Sequence, residues 1–181
     1  MGRALAQAAL DLGYQVTIVS GPVAVEYPRA AKVIPVISTE EMLEASRREF
    51  ASCEGLIGAA APCDYRPLRI ETQKIAKTGE PLQLHLVETP DIVATLAAAK
   101  GPQQWVVGFA LETEDQRFRA LAKLERKSCD LIVLNGPEAM DSLENRVEVL
   151  DKSGATAASL AGSKEEVARG ILQVVHERLV K

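Results

Sequence analysis

The 181-residue sequence predicts a doubly wound α/β domain whose sheet is mostly parallel and carries helices on both faces. Short apolar runs alternate with segments of helical periodicity along nearly the whole chain, which is typical of this class. A hydrophobic fraction of 47% supports a substantial core. Because no repeat, linker or low-complexity tract divides the sequence, we expect one domain over residues 1–181.

The first third of the chain begins with a helix and two strands. Ala and Leu recur with helical periodicity over residues 2–12, and a glycine ends that helix. The run 14–20 is a predicted strand that Gly21-Pro22 terminates. Segment 31–38 contains a short strand. Pro35 restricts that strand to a sheet edge, because proline cannot donate to a ladder.

The middle of the chain contains a helix, two strands and a long loop. Ser38 and the glutamate three residues later form a capping box for a helix over 39–51. The small apolar residues of 55–61 predict a short strand that another backbone or a ligand can approach closely. Residues 62–81 are a predicted loop. The alternating segment 82–88 predicts a half-buried strand, which we expect at an edge.

Two buried strands flank an amphipathic helix in the second half. The stretch 89–91, Thr-Pro-Asp, predicts a threonine N-cap, a proline at N1 and an acid in the first turn of a helix over 91–100. The apolar runs 105–111 and 129–135 predict buried strands, and 114–128 has the pattern of an amphipathic helix.

The chain ends in a hairpin and a helix. Segments 146–151 and 155–160 alternate around a Lys-Ser-Gly turn, and Ser163 caps the final helix, 164–180. A doubly wound domain normally opens with a strand and a glycine-rich turn, whereas this sequence opens with a helix. We therefore expect the first strand and its turn to lie outside this sequence, as in a truncated chain.

Charge and cysteine content exclude several classes of function. The net charge of −4 is mixed along the chain, so we expect no nucleic-acid partner. No apolar run approaches the roughly 20 residues of a membrane span, and we expect no membrane partner. The three cysteines form no C-x-x-C pair and accompany no His cluster. We therefore predict no metal-ligating residues and a reducing, cytoplasmic location.

Charged residues follow the predicted strand 55–61 directly. Asp64 and Arg66 lie where ligands bind in doubly wound sheets, beyond the carboxyl ends of strands. A carboxylate there can accept hydrogen bonds from a base amine or a ribose hydroxyl. The alternative is a solvated loop with a surface ion pair, which contributes little to stability.

Lysines in two segments have the chemistry of phosphate ligands. Lys74 and Lys77 lie in the predicted loop, where they either solubilise the surface or approach a phosphate or an oxyanion. Lys123 and Lys127 are four apart and share one helix face. They either compensate the helix dipole or clamp a polyphosphate.

The start of helix 91–100 and the end of strand 105–111 are further candidates. The free N–H groups at a helix start form an anion site, although a well-capped helix without a ligand is commoner. Phe109 is either core or a platform for a base. The absence of G-x-G-x-x-G and G-x-x-x-x-G-K-[ST] weakens an NAD site and a P-loop.

Several segments together resemble the phosphopantothenoylcysteine synthetase family, the ligase half of the bacterial bifunctional coenzyme A biosynthesis flavoprotein. They span nearly the whole chain. The segments are MGRALAQAA, VTIVSGPV, GAAAPCDYRP, KIAK, TPDIVATLA, VVGFALET, KLERKSCDLIVLN and ENRVEVLD. Each is weak alone, whereas their common order is specific. The resemblance implies a Rossmann-like sheet of the ribokinase-like variant.

The resemblance implies a ligase that joins 4'-phosphopantothenate to cysteine in coenzyme A biosynthesis. It implies CTP with Mg²⁺, an acyl-cytidylate intermediate, a homodimer and no flavin in this chain. Lys74 matches the family's catalytic lysine, ten residues after Asp64 as in the family. The implied nucleotide-binding residues are Gly58, Ala59, Ala60, Asp64, Lys74, Pro90, Asp91, Ile92, Val93, Phe109, Lys123 and Lys127.

The sequence departs from the family at two places. The family's Lys-Ile-Lys-Lys motif has Ala76 at its third position here. The family's N-terminal strand and substrate-binding segment precede the part that this sequence matches, so we expect weak or no ligation from this chain. An NAD(P)-binding oxidoreductase domain and a non-catalytic nucleotide-binding fragment stay open as alternatives. The residues alone do not separate CTP from ATP.

Overall fold

The computed structural model describes residues 1–136 and 144–180, without the side chain of Glu144. Segment 135–145 follows the predicted strand 129–135 and is by that position a candidate for ligand binding; its residues 137–143 lie outside the described residues. The helices are α1 (Gly2–Asp11), α2 (Thr39–Phe50), α3 (Ile92–Ala99), α4 (Gln116–Arg126) and α5 (Lys164–Leu179). The strands are β1 (Thr17–Ser20), β2 (Lys32–Pro35), β3 (Gly55–Gly58), β4 (Tyr65–Pro67), β5 (Leu86–Glu88), β6 (Trp105–Leu111), β7 (Leu131–Asn135), β8 (Glu144–Asp151) and β9 (Thr156–Ser163).

The main sheet has five strands in the order β3-β6-β7-β8-β9. β3, β6 and β7 are parallel, and β8 and β9 add the predicted C-terminal hairpin in antiparallel orientation. The doubly wound α/β class is therefore confirmed. β1 and β2 pair with each other in parallel and form a separate two-stranded sheet, while β3 pairs with β6 at the edge of the main sheet.

Helices cover both faces of the main sheet, as predicted. On one face α1 and α5 pack against apolar side chains of β6, β7 and β8, including Val107, Val133 and Val149. On the other face α2, α3 and α4 pack against Val106, Ile132 and their neighbours. The alternation of inward positions along each strand thus divides the core into two layers.

Helix caps agree with the sequence signals at two positions and differ at a third. Ser163 and Glu166 form the predicted reciprocal capping box of α5. Ser38 is the predicted N-cap of α2 and accepts a hydrogen bond from the Glu41 backbone N–H, but the Glu41 carboxylate accepts from the Ile37 N–H, so only the serine half of the predicted box forms. The predicted threonine cap of α3 is wrong, because Asp91 is the N-cap and its Oδ1 accepts from the Ala94 N–H at 3.0 Å. Pro90 therefore precedes the helix and does not occupy its first turn.

Residues 62–88, which we call the arm, differ most from the prediction. β5 covers only the end of the expected strand 82–88, and it pairs antiparallel with β4, which lies inside the expected loop. The Leu68 N–H donates to the His85 carbonyl at 2.8 Å and extends this hairpin by one bond. Nearly all of the arm is exposed, so its apolar positions lack the core contacts that lengthen a strand.

Asp130 lies just before β7, at the edge of the sheet where the parallel strands begin, and its contacts join several elements there. Its carboxylate lies 2.6 Å from Lys100 Nζ and 2.7 Å from Lys152 Nζ, and it accepts from the Val106 N–H. Burial by itself raises the pKa of Asp130, but these hydrogen bonds outweigh burial and hold the pKa below its ordinary value. The residue thus joins α3, β6 and the hairpin turn. No helix of the described residues is both long enough and apolar enough to cross a bilayer.

Candidate active site

The end of β3 meets the first turn of α3. A Cβ atom built on Gly58 would lie 2.5 Å from Val93 Cγ2, so glycine permits this approach. Ile92, next to Val93, is buried in the core layer of α3 and α4. The sequence-predicted residues Gly58, Ile92 and Val93 are therefore neighbours at the carboxyl edge of the sheet.

The base of the arm joins the same place. The Asp64 carbonyl accepts from the Thr89 N–H at 2.9 Å, and the Thr89 hydroxyl donates to the Cys63 carbonyl. These bonds hold Asp64 beside the segment that leads into α3, and its side chain is exposed. The surface ion pair considered between Asp64 and Arg66 does not form, because Arg66 pairs with Glu40 of α2.

Asp91 links α3 to α4. Its Oδ2 lies 3.1 Å from Lys127 Nζ while its Oδ1 caps α3. Partial burial raises the pKa of Asp91, but the Ala94 N–H and Lys127 outweigh it and hold the pKa below its ordinary value. The carboxylate is therefore ionised at neutral pH and neutralises the lysine beside it.

Lys123 is paired in the same way, one turn before Lys127 on α4. Its Nζ lies 2.5 Å from Oε1 of Glu112, the residue that follows β6. The side chain of Glu112 is 9% exposed, and its Oε1 has no aligned hydrogen-bond donor among the described residues. Both lysines of the predicted clamp therefore face carboxylates, and their charge is already compensated.

Other predicted residues are not joined to this group by the described contacts. Lys74 lies exposed in the arm, and no carboxylate of the described residues is within 4.0 Å of it in an ion pair. Phe109 and Ala59 are partly buried against the layer of α1 and α5, the face opposite to Lys123. Ala60, which follows Ala59, is exposed. The predicted site residues therefore divide between the two faces of the sheet.

An open cleft elsewhere contains none of the predicted residues. Leu121, Leu124 and Gly154 line it, and Lys100 and Lys152 flank it at the amino edge. This edge is opposite to the ends of β3 and β6. The cleft is therefore separate from the candidate site.

The sequence interpretation missed Glu112. Glu112 follows β6 directly, and segments just after strands, 109–113 among them, are where doubly wound sheets bind ligands. The position of Glu112 after a strand could have identified it from the sequence. Its pairing with Lys123 could not be predicted, because the two residues lie on different elements.

Comparison with known proteins identifies a family that matches nearly the whole chain. The C-terminal domain family of the DNA/pantothenate metabolism flavoproteins matches residues 1–179. The coenzyme A biosynthesis bifunctional protein CoaBC of Vibrio cholerae is 38% identical over 185 residues, covering 99% of this chain and 46% of that protein. A cysteine/cysteine sulfinic acid decarboxylase of an unknown prokaryotic organism is 42% identical over 185 residues, covering 97% and 52% respectively.

A solved structure is similar over almost the whole chain. The C-terminal domain of a coenzyme A biosynthesis bifunctional protein CoaBC superposes with a TM-score of 0.82 at 32% identity, covering 98% of this chain and 81% of that one. The chain spans about half the length of the curated relatives that it matches.

Proposed function

Because the chain belongs to the C-terminal domain family of the DNA/pantothenate metabolism flavoproteins, we propose that it carries the ligase function of coenzyme A biosynthesis. Its substrates are 4'-phosphopantothenate, cysteine and CTP. The observation that carries the proposal is the convergence of three segments on the start of α3. The end of β3, the base of the arm and Lys127, which follows the last residue of α4, all lie there.

The reaction has two steps. A carboxylate oxygen of 4'-phosphopantothenate attacks the α-phosphorus of CTP, forms an acyl-cytidylate and expels pyrophosphate. The cysteine amine then attacks the acyl carbon, expels CMP and loses a proton as the amide forms. In the first step negative charge gathers on the departing phosphates, so cations at that position lower the barrier.

The residues of the chain have separate roles in this scheme. Asp64 accepts hydrogen bonds from the cytosine amine, and the first turn of α3 offers its backbone N–H groups to phosphate oxygens. Lys123 and Lys127 neutralise the triphosphate after leaving their carboxylate partners. Lys74, carried by the arm, approaches the reacting centre and stabilises the charge of the acyl-cytidylate stage.

Mg²⁺ enters with CTP and supplies positive charge and orientation to the phosphates. The chain offers oxygen ligands that suit this ion. Glu112, whose buried Oε1 has no aligned donor among the described residues, is a carboxylate of the kind that Mg²⁺ prefers. The described residues contain no group of three or more His, Cys, Asp or Glu side chains that could hold a metal ion by themselves, so this carboxylate would hold the ion together with phosphate oxygens of the nucleotide.

Calorimetry with three ligands tests the nucleotide. We expect Mg²⁺-dependent binding of CTP, weaker binding of ATP, and no binding of NADH. If the chain binds NADH and does not bind CTP, the result favours the NAD(P)-binding oxidoreductase alternative over the ligase. CTP binding without turnover, in a longer form that includes the family's N-terminal segment, would favour a non-catalytic nucleotide-binding module.

Lys74→Gln tests the catalytic step. In a longer form of the protein that includes the family's N-terminal segment, we expect pyrophosphate release with 4'-phosphopantothenate and cysteine to fall on the order of 10²- to 10³-fold, by analogy with oxyanion donors, while CTP binding is kept. Lys77→Gln in the same arm, with the same loss of charge, is the matched control. Equal rates for Lys74→Gln and the unchanged protein would exclude the catalytic role.

We also propose a cytoplasmic homodimer. The cysteines Cys53, Cys63 and Cys129 are unpaired with one another, which fits a reducing compartment. The arm exposes a set of large apolar side chains that a second copy of the chain would cover. They are Leu68, Ile70, Leu82, Leu84 and Leu86. Light scattering should give twice the chain mass, and Leu84→Glu should reduce it to the monomer.

A further inference from the structure

Glu112 has a buried charge that depends on one cation. The residue is 7% exposed, and Lys123 Nζ lies 2.5 Å from its Oε1. That oxygen has no aligned hydrogen-bond donor among the described residues. Among the described residues, Lys123 is the cation that pairs with this carboxylate.

Binding of a polyphosphate by Lys123 would remove this compensation. A buried carboxylate left without a counter-ion, close to further negative charge, is strongly unfavourable. Asp91 differs, because its side chain is 40% exposed and its Oδ1 also accepts from the Ala94 N–H. Water can solvate Asp91 when Lys127 leaves, whereas Glu112 needs another cation.

We propose that Glu112 is a divalent-cation ligand, taken over by Mg²⁺ when Lys123 turns from the carboxylate to a nucleotide phosphate. This inference rests on the nucleotide site proposed above. A carboxylate oxygen is the donor that Mg²⁺ prefers, and one or two carboxylates with phosphate oxygens are its usual protein ligands. Glu112 is then paired with Lys123 in the free chain and with Mg²⁺ in the nucleotide complex. The affinity for CTP therefore depends on Mg²⁺ through Glu112.

Calorimetric titration of CTP in EDTA and in Mg²⁺ measures this dependence. For the unchanged chain we expect Mg²⁺ to tighten binding within the roughly 5- to 150-fold range of coupled sites. Glu112→Gln removes the charge and keeps the shape. We expect it to bind CTP in EDTA at least as tightly as the unchanged chain, because Lys123 is free, and to lose most of the Mg²⁺ effect. Glu114→Gln, an 81% exposed neighbour with the same loss of charge, should behave as the unchanged chain.

The outcomes separate this inference from the proposed function. Failure of the unchanged chain to bind CTP under either condition refutes the nucleotide site itself. Binding with an undiminished Mg²⁺ effect in Glu112→Gln refutes only the role of Glu112. Circular dichroism checks that the variant is folded.

A measurement on the unchanged chain avoids any variant. Cobalt(III) hexammine supplies positive charge but cannot exchange its ammonia for a carboxylate oxygen. We expect it not to reproduce the effect of Mg²⁺ on CTP affinity. Full replacement of Mg²⁺ by this ion would refute direct ligation by Glu112.

Discussion

Gly58→Ala perturbs the contact between β3 and α3 on which the candidate site depends. The added Cβ would lie 2.5 Å from Val93 Cγ2, well inside the van der Waals distance. Val93 is β-branched and sits in a helix, so its χ1 has little freedom to rotate away. Either the start of α3 or the end of β3 must therefore move.

The expected loss follows from overpacking. Extra atoms in a packed core cost about 1–3 kcal/mol of unfolding free energy. For a chain of this size each kcal/mol lowers Tm by roughly 2–4 °C, so we expect a decrease of about 2–12 °C. Thermal unfolding followed by circular dichroism measures it, and urea unfolding gives the free energy directly.

A second substitution identifies the contact as the cause. Val93→Ala removes the clashing methyl groups, so the double variant should lose less stability than the sum of the two single variants. Gly101→Ala is the matched control, because its Cβ would meet Gln104 Oε1 at an ordinary 3.6 Å. If Gly58→Ala melts as the unchanged chain does, or if the two substitutions are simply additive, the close packing of β3 on α3 is refuted.

Three further predictions concern stability and reactivity. Because the folded-state pKa of Asp130 is depressed, its contribution to stability is full above an ordinary value of about 4 and is lost as pH falls toward the folded pKa. Asp130→Asn should therefore flatten the acid side of a stability–pH curve measured by urea unfolding. Burial raises the pKa of Cys129 to about 11, so Ellman's reagent should modify exposed Cys63 first and Cys129 only after unfolding. Ser163→Ala should lower the unfolding free energy by about 0.5–2 kcal/mol, because Glu166 alone cannot cap α5. A loss no larger than that of an exposed Ser→Ala change would contradict the cap.

Local signals in the sequence predicted much of the fold. β6 has the predicted bounds and α5 ends one residue before its predicted end, because the sequence periodicity of both elements is clear. The cap of α3 was less determinate. Thr89 and Asp91 are both good N-cap residues, and the proline between them suits either choice.

Pairing between distant strands was harder to predict. The separation of β1 and β2 from the main sheet depends on which strand lies beside β3, and periodicity carries no such information. The pairing of β4 with β5 joins residues about twenty apart across an exposed loop. Alternation at 82–88 indicated a strand, but exposure of the arm limits the ladder to three residues.

The candidate site shows the same limit. Strand-end position singled out Asp64, and it ranked the segment that contains Glu112. It did not reveal that Lys123 and Lys127 each lie against a carboxylate, since those pairs join different elements. A lysine pair on one helix face therefore predicts where positive charge is placed, and only the tertiary contacts decide how much of it is available.

The arm has two parts that differ in how they are attached to the rest of the chain. Its base is bonded to the segment before α3, while Lys74 is carried farther out, where the described residues provide few contacts to the body. With the role proposed for Lys74, insertions or substitutions in the outer arm would change turnover and leave nucleotide affinity unaltered. Changes in α3 or α4 would alter affinity first. Relatives could therefore diverge in rate and in nucleotide preference separately.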